Sequence, residues 1–405
     1  MKLSIKKFQQ INRKITLDLD KITIVTGVNG VGKTNISKLL YCLLKANCYK
    51  RYEPAVESIN KKIDELIKKI HSIHKIELYL PEPEDVFGYI DNYLTLKEEF
   101  KIEHHALYND YYKDDFDLLD RLIEIVYNNG LELHISLLRT LLKGMYGTAN
   151  FTGEVELTGD DGCFYKLDFN QDFYNDTFLE YADCAVFDNV FYFDNSGTFL
   201  DYMEYNGIFN CIHMNDMNDA CVVDKSTMFD NNDDLIELEN ELVDIIGGYF
   251  EYDSRDNLVF RSKSDNTVYS MGNVSSGMRS LGCLYLLLHY RHIGEGSFLI
   301  FDEFECNLHT KTKLFLGEWL CKLVKKIGVH IYVNTKSPLF IETIEVYSMK
   351  YKLGDNVSYI LLDYSKDNQI KTLNTDRWGV HILYDNLGDP YDIIDEQKIA
   401  NTFNL

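Results

Sequence analysis

The chain has 405 residues, 45% of them hydrophobic, with 41 basic against 64 acidic side chains and a net charge of −23. That is enough apolar material for a buried core and enough length for two or three structural units. An acidic surface repels nucleic acid over most of its area, because affinity there comes largely from Lys and Arg on phosphates. No apolar run approaches the roughly 18–20 residues that cross a bilayer, and MKLSIKKFQQ lacks the apolar stretch of a signal peptide. The nine cysteines include no C-x-x-C pair, as expected of unpaired thiols in a reducing cytoplasm.

KLSIKKFQQINRKITLDLDKITIVTG predicts three short strands, and its last run, ITIVTG, is apolar enough for a buried parallel strand. A helix beginning near Lys33 and continuing through ISKLLYCLLKA follows. Between 50 and 150 the pattern is helical. Pro54 suits a first turn, and Val56, Ile59, Ile63, Leu66, Ile67, Ile70 and Ile73 follow at helical spacing. Further helical stripes cover 116–126 and 133–145, and none sustains heptads long enough for a coiled-coil arm. A compact helical insertion is expected here. FTGEVELTG, CFYKLDF and VFYFD predict antiparallel strands, a helix over 234–246 is expected to stop at Gly247, and EYDSRDNLVFRSKSDNTVYSM reads as a hairpin. From 274 to 363 helix and strand alternate, the pattern of an α/β fold. The expected divisions are 1–49, 50–150, 151–270 and 271–405.

Two motifs carry chemistry. Gly27-Val28-Asn29-Gly30-Val31-Gly32-Lys33-Thr34 fits G-x-x-x-x-G-K-[ST], a loop whose backbone N–H groups converge on phosphate oxygens. Lys33 would reach the β- and γ-phosphates, and Thr34 would offer a hydroxyl to Mg²⁺. The helix that follows points its positive end at the same anion. FLIFDE, the second motif, is an apolar strand ending in two carboxylates. Asp302 would hold the metal's water shell, and Glu303 would orient and polarise an attacking water. Ser275-Ser276-Gly277 opens a helix with hydroxyl caps and free N–H groups, so it suits either an anion or an ordinary N-cap. The pairs His71/His74 and His289/His292 have metal-compatible spacing without a clear third ligand. His104-His105, beside Asp110, Asp114 and Asp115, reads as a solvated face.

Taken in order, TGVNGVGKTN, SSGMRSLG, FLIFDEFECNLH and VHIYVNTKSPLFIE resemble four landmarks of ABC-type ATPases of the OLD and RecF group. These are the P-loop, the signature segment, a D-E-P-E-x-x-L-H-P form of Walker B and a T-H-S-P switch segment. Within that group the chain resembles the stand-alone ATPase subunits of anti-phage systems such as Septu and PARIS. The motif resemblance covers roughly 1–45 and 270–365, and VFYFDNSGTFLDYM also resembles that group. It implies a P-loop NTPase with an ABC-type head, an antiparallel β subdomain and a helical insertion.

The resemblance further implies ATP and Mg²⁺ as ligands, held by residues 27–34 with Asn35 and by Asp302. Ser275, Ser276 and Gly277 would meet the γ-phosphate of the opposite subunit in a nucleotide-sandwiching homodimer. Departures occur at Phe304 and Thr310, where the group has proline, and at Lys336, which stands in place of the switch histidine. Glu303 and Lys336 are the expected catalytic pair. A lysine there is a flexible point charge without the neutral-donor geometry of imidazole. OLD nucleases carry a Toprim domain after the ATPase. About 40 residues follow the last clear strand here, fewer than a typical domain needs. The expected partner is therefore a separate effector such as a nuclease, in the cytoplasm and away from membranes. The alternatives are a RecF/SMC-like ATPase that clamps DNA directly and a nucleotide-stabilised scaffold with little turnover.

Overall fold

The computed structural model describes residues 1–46, 48, 53–76, 78, 88–147, 151–159, 164–170, 179–181, 187–194, 212–222, 232–254, 257–365, 367, 369–376, 379–384 and 387. The chain forms two compact units, one made of 1–47 and 139–405, the other of 48–138.

Among the described residues the larger unit contains three sheets. The strand β1 (Lys2–Lys6) pairs antiparallel with β2 (Ile15–Asp18) and with β4 (Glu154–Thr158), and β5 (Phe164–Asp168) and β6 (Leu179–Tyr181) extend that sheet. A six-stranded sheet forms the centre. Its strands are β3 (Ile22–Gly27), β7 (Asn189–Asp194), β11 (Ser297–Asp302), β12 (His330–Asn334), β13 (Val357–Tyr364) and β14 (Ile370–Thr375), in the order β14-β13-β3-β12-β11-β7. All are parallel to their neighbours except β14, which runs antiparallel on one edge. Every residue of β3 and β11 is buried. That is what a parallel strand covered on both faces requires, and it explains their unbroken apolar runs.

VFYFD departs from its expected antiparallel pairing. It belongs to β7, which runs parallel to β11 from Asn189 opposite Ser297 to Asp194 opposite Asp302. Val190, Phe191, Tyr192 and Phe193 are all buried, so this strand has no solvent face and its sequence has no reason to alternate. The expected hairpin is likewise a three-stranded antiparallel sheet, β10 (Val268–Ser270), β9 (Leu258–Ser262) and β8 (Gly248–Tyr252).

Helix α1 (Lys33–Ala46) follows β3 directly. In the helical unit, α2 (Glu53–His74) and α3 (Gly88–Glu103) precede a π-helical turn at Tyr108–Tyr112 and the long α4 (Lys113–Tyr146), whose residues from 139 on belong to the larger unit. The two stripes read at 116–126 and 133–145 are one helix, because a single Gly130 costs only about 1 kcal/mol in a helix interior. Ile59, Ile63, Leu66 and Ile70 pack with Tyr93, Phe100, Tyr108, Tyr112 and Phe116 in a core of their own. Ile73 falls outside that core and is exposed. The larger unit continues with α5 (Ile212–Val222), α6 (Asp233–Ile246), α7 (Ser276–His289), α8 (Thr310–Ile327) and α9 (Pro338–Lys350). The Asn232 side chain caps α6, and Gly247 ends it at φ 79. Among the described residues no helix is long and apolar enough to cross a membrane. The fold is α/β of the P-loop NTPase type, with an antiparallel β sheet and a helical insertion, as the sequence implied.

Candidate active site

Loop 27–34 leaves the C-terminal end of β3, which β12 and β13 flank on either side. The loop needs glycine for steric reasons. At Gly27 φ is +143, and an added Cβ would lie 1.9 Å from the Leu362 carbonyl oxygen of β13. Val31 is fully buried beneath the loop, while Val28, Asn29 and Gly30 face solvent. Tyr364 donates its hydroxyl hydrogen to the Gly30 carbonyl at 3.1 Å, and Tyr146 donates to that of Asn35 at 2.5 Å.

Lys33 folds back over the loop. Its ammonium donates to the carbonyls of Gly27 at 2.6 Å and Val28 at 3.0 Å. Burial, and secondarily the nearby charge of Lys336, lower its pKa to about 8. In the fold this cation lacks full compensation, and an arriving anion would supply it.

Asp302 ends β11 and is buried. Its Oδ2 accepts from Tyr192 of β7 at 2.8 Å, and its Oδ1 accepts from the Asn334 amide of β12 at 2.9 Å. Tyr192 also lies 3.3 Å from the Ser37 hydroxyl of α1, so four elements meet at one carboxylate. Glu303 comes next, in the left-handed region at φ 52, with its N–H donating to the Asn334 carbonyl at 2.9 Å. Its carboxylate pairs with Lys336 at 2.5 Å. Glu305, two residues on, is almost fully buried. It accepts from the Thr335 hydroxyl at 2.5 Å, and its other oxygen has no partner. Burial raises its pKa.

Lys33, Glu303 and Lys336 converge on one open cavity of about 220 Å³, which Gln10, Asn29, Gly30, Gly32, Thr34 and Asn35 also line. Residues 275–277 are not part of that lining. Ser275 caps α7 by accepting from the Met278 N–H at 3.4 Å, and both Ser275 and Ser276 are exposed. Gly277 packs so closely on the turn after β11 that an added Cβ would lie 2.9 Å from the Asn307 carbonyl oxygen. Among the described residues, segment 275–277 and loop 27–34 therefore do not line the same cavity.

A magnesium ion at such a loop takes mostly phosphate and water oxygens with one or two protein groups, and the residues present fit that requirement. Thr34 is exposed at the end of the loop, and both oxygens of Asp302 are already held, which suits contact through water. Among the described residues no group of three or more His, Cys, Asp and Glu could hold a metal ion. His289 lies 2.8 Å from Glu239, and the His71 ring nitrogen 3.2 Å from the Ile76 carbonyl. Residues 195–203 of VFYFDNSGTFLDYM lie outside the described residues.

Sequence reading missed Tyr192, Asn334, Gln10, Tyr364 and the pair Glu305–Thr335. Asn334 had a signal available, since it is the polar end of the apolar run HIYVN. Gln10 had none.

No family model matches the chain, and no curated protein matches it. Among solved structures it is similar to an SMC head bound to the C-winged helix domain of ScpA, at 12% identity, over 93% of this chain and 97% of that one, with a TM-score of 0.44. It is also similar to the SMC head domain from Thermotoga maritima, at 12% identity, over 93% and 98%, with a TM-score of 0.40. A head domain from Pyrococcus furiosus, with an extended coiled coil and bound to the C-terminal domain of ScpA, matches at 11% identity over 98% of each chain, with a TM-score of 0.36. Such distant likeness says nothing of activity. The fold assignment rests on the sheet order and on the position of loop 27–34 at the end of β3.

Proposed function

We propose that this chain binds and hydrolyses ATP with Mg²⁺ as an ABC-type ATPase of the OLD and RecF group. It works as a nucleotide-sandwiching homodimer that controls a separate effector, a nuclease in phage defence. One observation carries the reading, the convergence of Lys33, Thr34, Glu303 and Lys336 on a single cavity with Asp302 anchored behind them. Lys33 and the loop N–H groups would bind the β- and γ-phosphates, Thr34 and Asp302 would hold the hydrated metal, and Glu303 would orient the attacking water. The metal would neutralise charge on the phosphates.

The cavity supports the dimer. At about 220 Å³ it is smaller than the roughly 300–1,000 Å³ typical of small-molecule pockets. It suits the phosphate end of a nucleotide and leaves the rest for a second surface. Ser275 and Ser276 are exposed and, like Gly277, lie outside their own chain's cavity, so the segment suits that role. The effector rests on the motif resemblance, and the net charge of −23 favours a protein over DNA.

A mixing experiment tests the dimer. Lys33→Ala should abolish ATP binding, and Lys33→Ala and Ser275→Arg should each be inactive alone. Mixed subunits form one intact composite site and should recover partial nucleotide-dependent activity. No recovery, given demonstrated subunit exchange, argues for sites built within one chain.

One observation favours the direct DNA clamp. A groove of about 390 Å³ is lined by Lys6, Lys7, Arg13, Lys14 and Lys166, opposed by Glu154 and Glu156. Glu154 already pairs with Lys6 at 2.7 Å. Duplex binding at physiological salt decides between the readings. We expect no nanomolar site, and tight, salt-sensitive binding by the pure protein would favour the clamp.

A further inference from the structure

Lys336 is one of the chain's departures from the group it resembles, and its surroundings give it a specific task. The segment that carries it is tied down on both sides. The Asn334 amide donates to Asp302, the Thr335 N–H donates to the Val25 carbonyl at 3.0 Å, and the Thr335 hydroxyl donates to Glu305. The Ser337 N–H donates to the Thr335 hydroxyl at 3.0 Å, and the Ser337 hydroxyl in turn accepts from the Phe340 N–H to cap α9. Backbone motion is thus restrained at residues 334, 335 and 337. The movable part is the lysine's four-carbon arm, whose side chain is 39% exposed.

That arm reaches Glu303, whose side chain is 18% exposed and whose backbone is fixed by the Asn334 carbonyl. Both groups line the cavity that holds Lys33 and Thr34. The carboxylate best placed to act on water is thereby engaged by a cation. Neutral imidazole in the same place would not impose such an ion pair.

Building on the nucleotide reading above, we propose that Lys336 is a cationic latch that holds the Glu303 carboxylate until a third phosphate is seated. Lys336 then exchanges Glu303 for the γ-phosphate, and the freed carboxylate turns to the attacking water. A diphosphate offers no second anion at that position, so the latch stays closed. Hydrolysis is in this way conditional on a complete triphosphate. Lys336 thus positions Glu303 in the resting site and meets the γ-phosphate only after the exchange.

A double-mutant cycle read by titration calorimetry tests the exchange, with a non-hydrolysable ATP analogue and ADP as probes. The proteins are the wild type, Glu303→Gln, Lys336→Met and the double variant. Opening the latch costs part of the analogue's binding energy, so Glu303→Gln should tighten analogue binding roughly fivefold more in the wild-type background than in the Lys336→Met background. ADP affinity should change less than about twofold throughout. Equal or smaller tightening in the wild-type background would mean that Glu303 repels the phosphates directly, and it would overturn the latch. An equal effect on ADP would overturn it as well. Lys336→Gln repeats the cycle if the methionine variant does not fold. Absence of both analogue and ADP binding in the wild type would refute the nucleotide reading itself, an outcome distinct from a failed cycle.

Discussion

The loop that carries Lys33 and the segment that carries Ser275 differ in how far their own chain satisfies them. Around Lys33 the polar groups have partners inside the chain, from the carbonyls of Gly27 and Val28 to the phenols that hold Gly30 and Asn35. Each oxygen of Asp302 is held, one by Tyr192 and the other by Asn334. Ser275 has a single long cap bond and lies exposed beside Ser276. The first region is organised before any ligand arrives, which lowers the cost of ordering it on binding. The second offers donors to whatever approaches from outside. In the proposed dimer this divides the labour, with affinity resting on the buried region and control on the exposed one.

The largest expected effect strikes the buried side. Gly27→Ala places a methyl 1.9 Å from the Leu362 carbonyl oxygen, at a φ that alanine rarely adopts. Thermal unfolding should show a loss of more than about 4 kcal/mol, or yield no soluble protein. Ser276→Ala on the exposed side should stay within about 0.5 kcal/mol of wild type. Similar melting of the two variants would break the contrast.

A smaller effect sharpens it. The buried Glu305 carboxyl has its pKa raised chiefly by desolvation. The Thr335 hydrogen bond and the more distant Lys313 lower it, and Glu303 adds to the rise. Below the unfolded value of about 4.5 the residue is protonated in both states and costs nothing. The cost grows as pH rises through the folded value, because the unfolded chain ionises more readily. Glu305→Gln keeps an acceptor for Thr335 without the charge. It should stabilise the protein by on the order of 1 kcal/mol near pH 8 and by nothing near pH 4. Melting curves across that range check it, and a pH-independent difference would reject the charge explanation.

What the sequence disclosed follows the range over which each interaction acts. The P-loop and FLIFDE were legible because a strand's apolar run and the residues ending it lie within ten positions of one another. Tyr192 was not, since its role depends on β7 lying beside β11, more than 100 residues away in the chain. A short run with both faces buried has no alternation to distinguish parallel from antiparallel pairing. Asn334 and Thr335 were read only as part of a switch segment, because their partners Asp302 and Glu305 become neighbours through the pairing of β11 with β12. Strand β6 and helix α5 were not read at all. β6 has only three residues, and the buried face of α5 is built from Met214, Met217, Ala220 and Cys221, a faint stripe among Asn and Asp neighbours.

The position of β3 has a consequence for synthesis. The strand that launches the phosphate loop pairs on one side with residues 331–334 and on the other with 357–362, and with nothing nearer in sequence within its own sheet. At about 5–20 residues per second, the ribosome takes roughly 15–60 s after β3 to reach its first neighbour. Through that interval ITIVTG is an apolar strand with two open edges, the kind of segment that pairs with other chains. The antiparallel sheet of β1, β2, β4, β5 and β6 closes by residue 181, so it can form well before the P-loop has a sheet to stand on. Nucleotide would find no site on a nascent chain, and truncations ending before residue 357 should aggregate through a strand whose every residue the complete protein buries.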